Sequence, residues 1–145
     1  MKARKSGHIV NTSSVNGQLP FGPFATYCAS KFAVAGLSES IKQDLDTYGV
    51  GVSILYPGLT RSRMSEGQTP ELPEEAKQAL SARMMEAIWL GRAVVRAVEN
   101  NTLHIITHPD HLEVLKARID TLYGDFGEPA QPGYGGYISG MKPLA

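Results

Sequence analysis

The sequence is short of cysteine, of net charge and of long apolar runs. Cys28 is its single cysteine among 145 residues, so no internal disulfide can form, and a soluble protein of a reducing, cytoplasmic setting is expected. Fourteen basic and 14 acidic residues cancel to a formal charge of zero at pH 7. They are mixed along the chain, so no field of one sign favours nucleic acid or an anionic membrane, and neither is expected as a partner. No run approaches the roughly 20 apolar residues of a membrane helix. After Lys2, Arg4 and Lys5, only Ile9 and Val10 precede polar Asn11, too short an apolar stretch for a signal peptide.

What is present suits one globular domain with a modest core, since 42% of the residues are hydrophobic. His8 to Thr12 is short and β-branched, bounded by Gly7 and a polar run, as in a strand buried in a parallel sheet. After a loop punctuated by Gly17, Pro20, Gly22 and Pro23, the stretch Phe24 to Tyr48 sets Phe24, Cys28, Phe32, Ala35, Ile41 and Leu45 near helical spacing. Gly49 stops that helix, and Val50 to Tyr56 reads as a second strand entering the Pro57-Gly58 turn. Strand, helix, strand predicts a right-handed parallel crossover.

Leu59 to Pro73 is polar and broken by Gly67, Pro70 and Pro73, a length typical of functional lids. A helical segment is predicted from Glu74 to Asn100, interrupted near Gly91, with Ala87, Leu90, Val94, Val95 and Val98 on its apolar face. Leu103 to Thr107 reads as a third strand. Pro109 suits the first turn of a last helix through Tyr123, with Leu112, Leu115 and Ile119 inward. Residues 124–145 are rich in Gly and Pro without periodicity and are expected to form a disordered tail or to lie over a partner.

Tyr27 and Lys31 stand four apart, so they share one helix face. That spacing alone carries little; its context carries more. Ser13 and Ser14 follow directly on a buried strand, where parallel sheets present residues to a ligand crevice. The same crevice would receive the Pro57-Gly58 turn and the start of the helix that bears Tyr27 and Lys31.

The runs Gly7-His8-Ile9-Val10-Asn11-Thr12-Ser13-Ser14, Tyr27-Cys28-Ala29-Ser30-Lys31 and Tyr56-Pro57-Gly58-Leu59-Thr60 resemble, in order and spacing, the classical short-chain dehydrogenase/reductase family. The resemblance covers Met1 to Tyr123 and corresponds to the carboxy-terminal, catalytic half of the family's domain. It implies an α/β fold: part of a Rossmann-like, doubly wound parallel sheet of about three strands with flanking helices. It implies an NAD(P)-dependent oxidoreductase that interconverts alcohols and carbonyls. Tyr27 would exchange a proton with the substrate oxygen. A phenol ordinarily titrates near 10, so work at neutral pH calls for a neighbouring positive charge, which Lys31 would supply.

By the same resemblance, Lys31 also contacts the nicotinamide ribose, with Tyr27 beside it, and Ser14 hydrogen-bonds the reacting oxygen. Ser13 is the alternative, but the Ser14 to Tyr27 spacing fits better. Pro57, Gly58, Leu59 and Thr60 would border the nicotinamide, the Leu59 backbone and the Thr60 hydroxyl facing its carboxamide. The family's strand, glycine-rich turn and helix that hold the cofactor pyrophosphate match nothing here, and Gly133, Gly135, Gly136 and Gly140 read as linker. The expectation is therefore a chain without the amino-terminal cofactor-binding half, with an open outer edge on its first strand. Its alternative function is that of a non-catalytic fragment or interaction module. A homodimer through the long helix is the implied assembly, and NAD or NADP the implied cofactor.

His104, His108 and His111 are spaced like metal ligands, but a predicted strand and a helix start separate them, so no metal is expected. A capped turn at His108-Pro109-Asp110 explains them better. Met64, Met84, Met85 and Trp89 fit core packing or a dimer surface better than a substrate pocket.

Overall fold

The computed structural model describes residues 1–67, 72–127 and 130–136. Three strands, β1 (His8–Thr12), β2 (Gly51–Tyr56) and β3 (His104–Ile106), form a parallel sheet in the order β1-β2-β3. His8 lies opposite Gly51 and Thr12 opposite Leu55, while Ile54 lies opposite His104. Helix α1 (Ala25–Leu45) links β1 to β2, continued by a 3-10 turn over Asp46–Tyr48. Between β2 and β3 lie the short α2 (Arg63–Gly67), α3 (Glu74–Ala82) and α4 (Ala87–Glu99). These elements belong to a compact unit of residues 1–109; residues 110–145 form a second, which holds α5 (Leu112–Gly124).

Helices cover both faces of the sheet, which is why Val52 to Tyr56 of β2 are all buried, polar Ser53 included, rather than on alternate residues. Ile54 and Tyr56 pack with Ala35 of α1 and with Leu103, while Val50 and Val52 pack with Leu45, Ile41 and Ile9. On the other face, Leu55 and Ile105 meet Ala97, Ala93 and Val94 of α4, with Val10 beside them. The pairing of Ile9 with Val52 and of Val10 with Ser53 puts the matching parities of β1 and β2 on matching faces.

Three expectations are corrected. Phe24, placed on the inward face of the long helix, is exposed and precedes the first helical turn, where Phe21 packs against it with ring centroids 5.6 Å apart. The helical segment from Glu74 breaks at Arg83–Glu86 rather than near Gly91, which lies within α4. The break follows from pairing: Met85 bridges Thr60, its N–H donating to the Leu59 carbonyl and its carbonyl accepting from Arg61 N–H. The inward stripe of α4 is Leu90, Ala93, Val94 and Ala97, at i, i+3, i+4 and i+7, whereas Ala87, Val95 and Val98 face outward. Two small alanines let the helix approach the sheet, a preference that hydrophobicity alone ranks below valine.

The expected last helix starts with a 3-10 turn over Pro109–His111 before α5. Leu115 and Ile119 are half-buried and Leu112 is exposed. Met84 and Met85 are half-buried, but Met64 and Trp89 are exposed, with Arg92 stacked 4.6 Å over the Trp89 ring, so neither serves the core. Half of the Gly/Pro-rich tail lies outside the described residues.

At the amino-terminal end of the sheet, the Ser53 hydroxyl donates to the Thr102 carbonyl at 2.6 Å, so it accepts from His8 Nε2–H at 2.7 Å. Burial, with a smaller contribution from the Lys42 charge, holds the His8 pKa below its usual 6.5. The folded chain thus binds this proton less readily than the unfolded chain. The stability His8 contributes is complete above 6.5 and is lost as pH falls from there toward its lowered folded value. Urea unfolding of wild type and His8→Gln should show a steeper acid-side loss in wild type; parallel pH dependences would exclude His8 as a source.

Candidate active site

Parallel pairing continues past the strands and carries the site. Ser13 N–H donates to the Leu55 carbonyl at 2.8 Å and Val15 N–H to the Pro57 carbonyl at 2.9 Å, so the segments after β1 and β2 stay zipped together. Ser14 lies between these bonds in extended backbone and caps the 3-10 turn Val15–Gly17. Its Oγ accepts from Asn16 N–H at 3.1 Å and stands 3.5 Å from the Pro57 carbonyl. Ser13 is buried, and its hydroxyl donates to the Lys31 carbonyl at 2.8 Å, tying the end of β1 to the first turns of α1.

The loop from Val15 to Phe24 folds back on Cys28, whose Sγ accepts from Phe21 N–H at 3.3 Å and from Asn16 Nδ2 at 3.7 Å. Cys28 is buried, which turns its neighbour Tyr27 toward solvent. Lys31 is half-buried; its Nζ donates to the Thr12 carbonyl at 3.2 Å and lies 5.5 Å from the Tyr27 ring centroid. A cation is thus held at the carboxyl end of β1, beside the aromatic ring one helical turn earlier. Among the described residues, no hydrogen bond links the Tyr27 hydroxyl to Ser14 or Lys31.

Gly17 makes this approach feasible. A Cβ there would meet Ser13 Oγ and stand 2.8 Å from the Lys31 carbonyl oxygen, closer than real Cβ contacts allow. Gly17→Ala should therefore push α1 off the β1 loop and cost about 1–3 kcal/mol. Urea unfolding measures it, and a change below about 0.5 kcal/mol would mean the contact relaxes freely.

The turn Pro57 to Thr60 follows β2. Thr60 Oγ1 donates to the Gly58 carbonyl at 3.1 Å, and the Leu59 N–H donates to no group among the described residues. Beyond it, Arg61 is fixed by Glu86 at 2.7 Å and by the Ser81 hydroxyl at 2.8 Å. These bind the start of the long connection to the break between α3 and α4. The pairing of Arg61 with Glu86 was not legible in the sequence, nor was His108, which lies against Gly58 at 3.0 Å from its N–H. The described residues hold no cluster of metal-ligating side chains, and none of their helices is long and apolar enough to cross a membrane.

Ser14, Tyr27, Lys31 and the Pro57 to Thr60 turn thus line the carboxyl end of one parallel sheet, and residues 1–73 match the family model described as short chain dehydrogenase. The chain belongs to the short-chain dehydrogenases. A short-chain dehydrogenase/reductase from Burkholderia phymatum, solved in complex with NAD, superposes with a TM-score of 0.70 at 27% identity, covering 90% of this chain and 54% of that one. A Novosphingobium aromaticivorans protein assigned to the short-chain dehydrogenases superposes with a TM-score of 0.71 at 36% identity, covering 89% and 41%. The 3-ketodihydrosphingosine reductase of Dictyostelium discoideum is 31% identical over 103 residues, 70% of this chain and 30% of that protein. The chain therefore spans about half or less of these relatives. The α/β, Rossmann-like class and the oxidoreductase family both follow.

Proposed function

We propose that this chain carries the proton-handling and nicotinamide-facing part of an NAD(P)-dependent oxidoreductase acting on a small alcohol or carbonyl compound. The observation that carries this reading is the convergence of Ser14, Lys31 and the Pro57–Thr60 turn at the carboxyl ends of β1 and β2. The residues fit a nicotinamide carboxamide, which needs one donor and one acceptor: Leu59 N–H is open to donate, and the Thr60 hydroxyl, spending its proton on Gly58, keeps lone pairs to accept. Lys31 Nζ would reach the cofactor ribose, with Tyr27 beside it and Pro57 and Gly58 shaping the wall.

When bound, the nicotinamide supplies or takes up hydride at the substrate carbon. Tyr27, exposed at the mouth of the site, gives its hydroxyl proton to the substrate oxygen in reduction and takes one in oxidation. Lys31 lends positive charge to that exchange. The Ser14 proton is engaged only across 3.5 Å, so it can turn to the developing oxyanion. The Ser13 proton is spent on the Lys31 carbonyl at 2.8 Å, which favours Ser14 for this role. Exposed Leu37 on α1 suits packing against the same helix of a second copy.

The share of the relatives that this chain spans favours a second reading, in which it binds no cofactor alone and serves as one part of a complemented fold. Calorimetry of the folded chain with NADH and with NADPH separates the two. Saturable binding, followed by carbonyl-dependent cofactor oxidation, is the expected result. A folded chain that binds neither overturns the first reading and favours the second.

A further inference from the structure

The turn after β2 is gripped by a side chain from 50 residues further along. His108 follows β3, and its ring lies against Gly58 so closely that a Cβ at that position would stand 2.7 Å from the ring's Cγ. Gly58 N–H donates to Nδ1 at 3.0 Å, and Nε2 lies 3.1 Å from the Leu59 carbonyl oxygen. A backbone N–H can only donate and a carbonyl can only accept. The network therefore assigns a bare Nδ1 and a protonated Nε2, the neutral imidazole with its proton on Nε2. The Thr107 hydroxyl stands 2.8 Å from the same Nδ1 and 3.3 Å from the Tyr56 carbonyl, so its single proton is shared between them and it is the second donor beside Gly58 N–H.

The two bonds of His108 fall on different peptide planes. Gly58 N–H belongs to the Pro57–Gly58 peptide, and the Leu59 carbonyl belongs to the Leu59–Thr60 peptide. The plane between them carries Leu59 N–H, the donor that the proposed function assigns to the nicotinamide carboxamide. The Leu59 carbonyl also accepts from Met85 N–H at 3.0 Å, so both its lone pairs are taken and its plane cannot turn. Fixing the planes on either side leaves the middle one little freedom.

We propose that neutral His108 is a positioning residue: it clamps the peptides flanking Gly58–Leu59 and so aims Leu59 N–H and the Thr60 hydroxyl at the nicotinamide. The aim rests on the functional reading above; the clamp stands on the contacts of His108 itself.

NMR of the isotopically labelled chain tests both. Wild-type His108 should show an unprotonated Nδ1 and a protonated Nε2, and the Gly58 amide should exchange slowly with solvent. His108→Ala should speed Gly58 exchange about tenfold and leave the amides of Val52 and Ile54 protected. His108→Asn, whose Oδ1 can replace Nδ1 as acceptor, should restore part of that protection. Titrated with NADH, wild type should shift the Leu59 and Thr60 amides, with several-fold weaker binding in His108→Ala and an intermediate value in His108→Asn. A proton on Nδ1, unchanged Gly58 exchange in His108→Ala, or NADH binding equal in all three proteins would overturn the proposal. If NADH moves no resonance of wild type, the cofactor reading fails for this chain, and the tautomer and exchange results still decide the clamp. Should His108→Ala unfold, the wild-type tautomer and His108→Asn carry the decision.

Discussion

Tyr27→Phe is expected to lower carbonyl turnover roughly 10²–10⁴-fold, the usual worth of one positioned proton donor, while cofactor affinity stays within about twofold. The expectation follows from where the phenol stands. Tyr27 lies in the first turns of α1, exposed, with Cys28 rather than Tyr27 turned into the packed loop. Its hydroxyl bonds no described residue, so removing one oxygen leaves the fold intact and the unfolding midpoint unchanged within about 0.5 kcal/mol. Lys31 Nζ stays anchored on the Thr12 carbonyl in the variant and keeps the place proposed for it beside the cofactor. A fall in turnover without a fall in binding or stability is thus specific to proton transfer. Equal turnover in the two proteins would remove Tyr27 from the chemistry, and a matching loss of cofactor binding would make it a binding residue only.

Ile54→Ala should destabilise the chain by about 2–5 kcal/mol, a large share of the roughly 5–15 kcal/mol typical of a domain. Ile54 is wholly buried at the centre of β2, packed with Ala35, Tyr56 and Leu103. Its N–H donates to the Leu103 carbonyl at 2.7 Å, which holds the backbone in place around the lost side chain. Ile106→Ala, on β3 and 41% exposed, supplies the contrast and should cost much less. Urea denaturation of both variants measures the difference. Comparable losses would mean that the core does not centre on β2. Because β2 leads straight into Pro57, loosening it should also loosen the Pro57–Thr60 turn proposed to face the nicotinamide.

The parallel sheet, the long helix between its first two strands and the turn after β2 were legible because each is a local pattern. β1 and β2 are β-branched runs bounded by turn residues, and α1 repeats apolar residues at helical spacing. The Tyr27 and Lys31 pair was legible for the same reason, since residues four apart share a helix face whatever surrounds them. The break between α3 and α4 was not. It depends on Met85 pairing with the strand-like segment at Thr60, an event that no propensity near residue 85 announces. The rotated inward face of α4 likewise depends on how closely the helix lies on the sheet, which favours Ala93 and Ala97 over the larger Val95 and Val98.

The sequence by itself determined the family, the strand-helix-strand order and the residue types able to handle a proton, because these rest on neighbours along the chain. Only the tertiary structure decided where the two serine hydroxyls point: Ser13 donates to the Lys31 carbonyl, 18 residues away, while Ser14 stands 3.5 Å from the Pro57 carbonyl. It also decided why Gly17 and Gly58 are bare, one beneath α1 and one beneath His108. Those contacts join residues between 14 and 50 positions apart, and a sequence read locally holds no record of which distant side chain a backbone will meet.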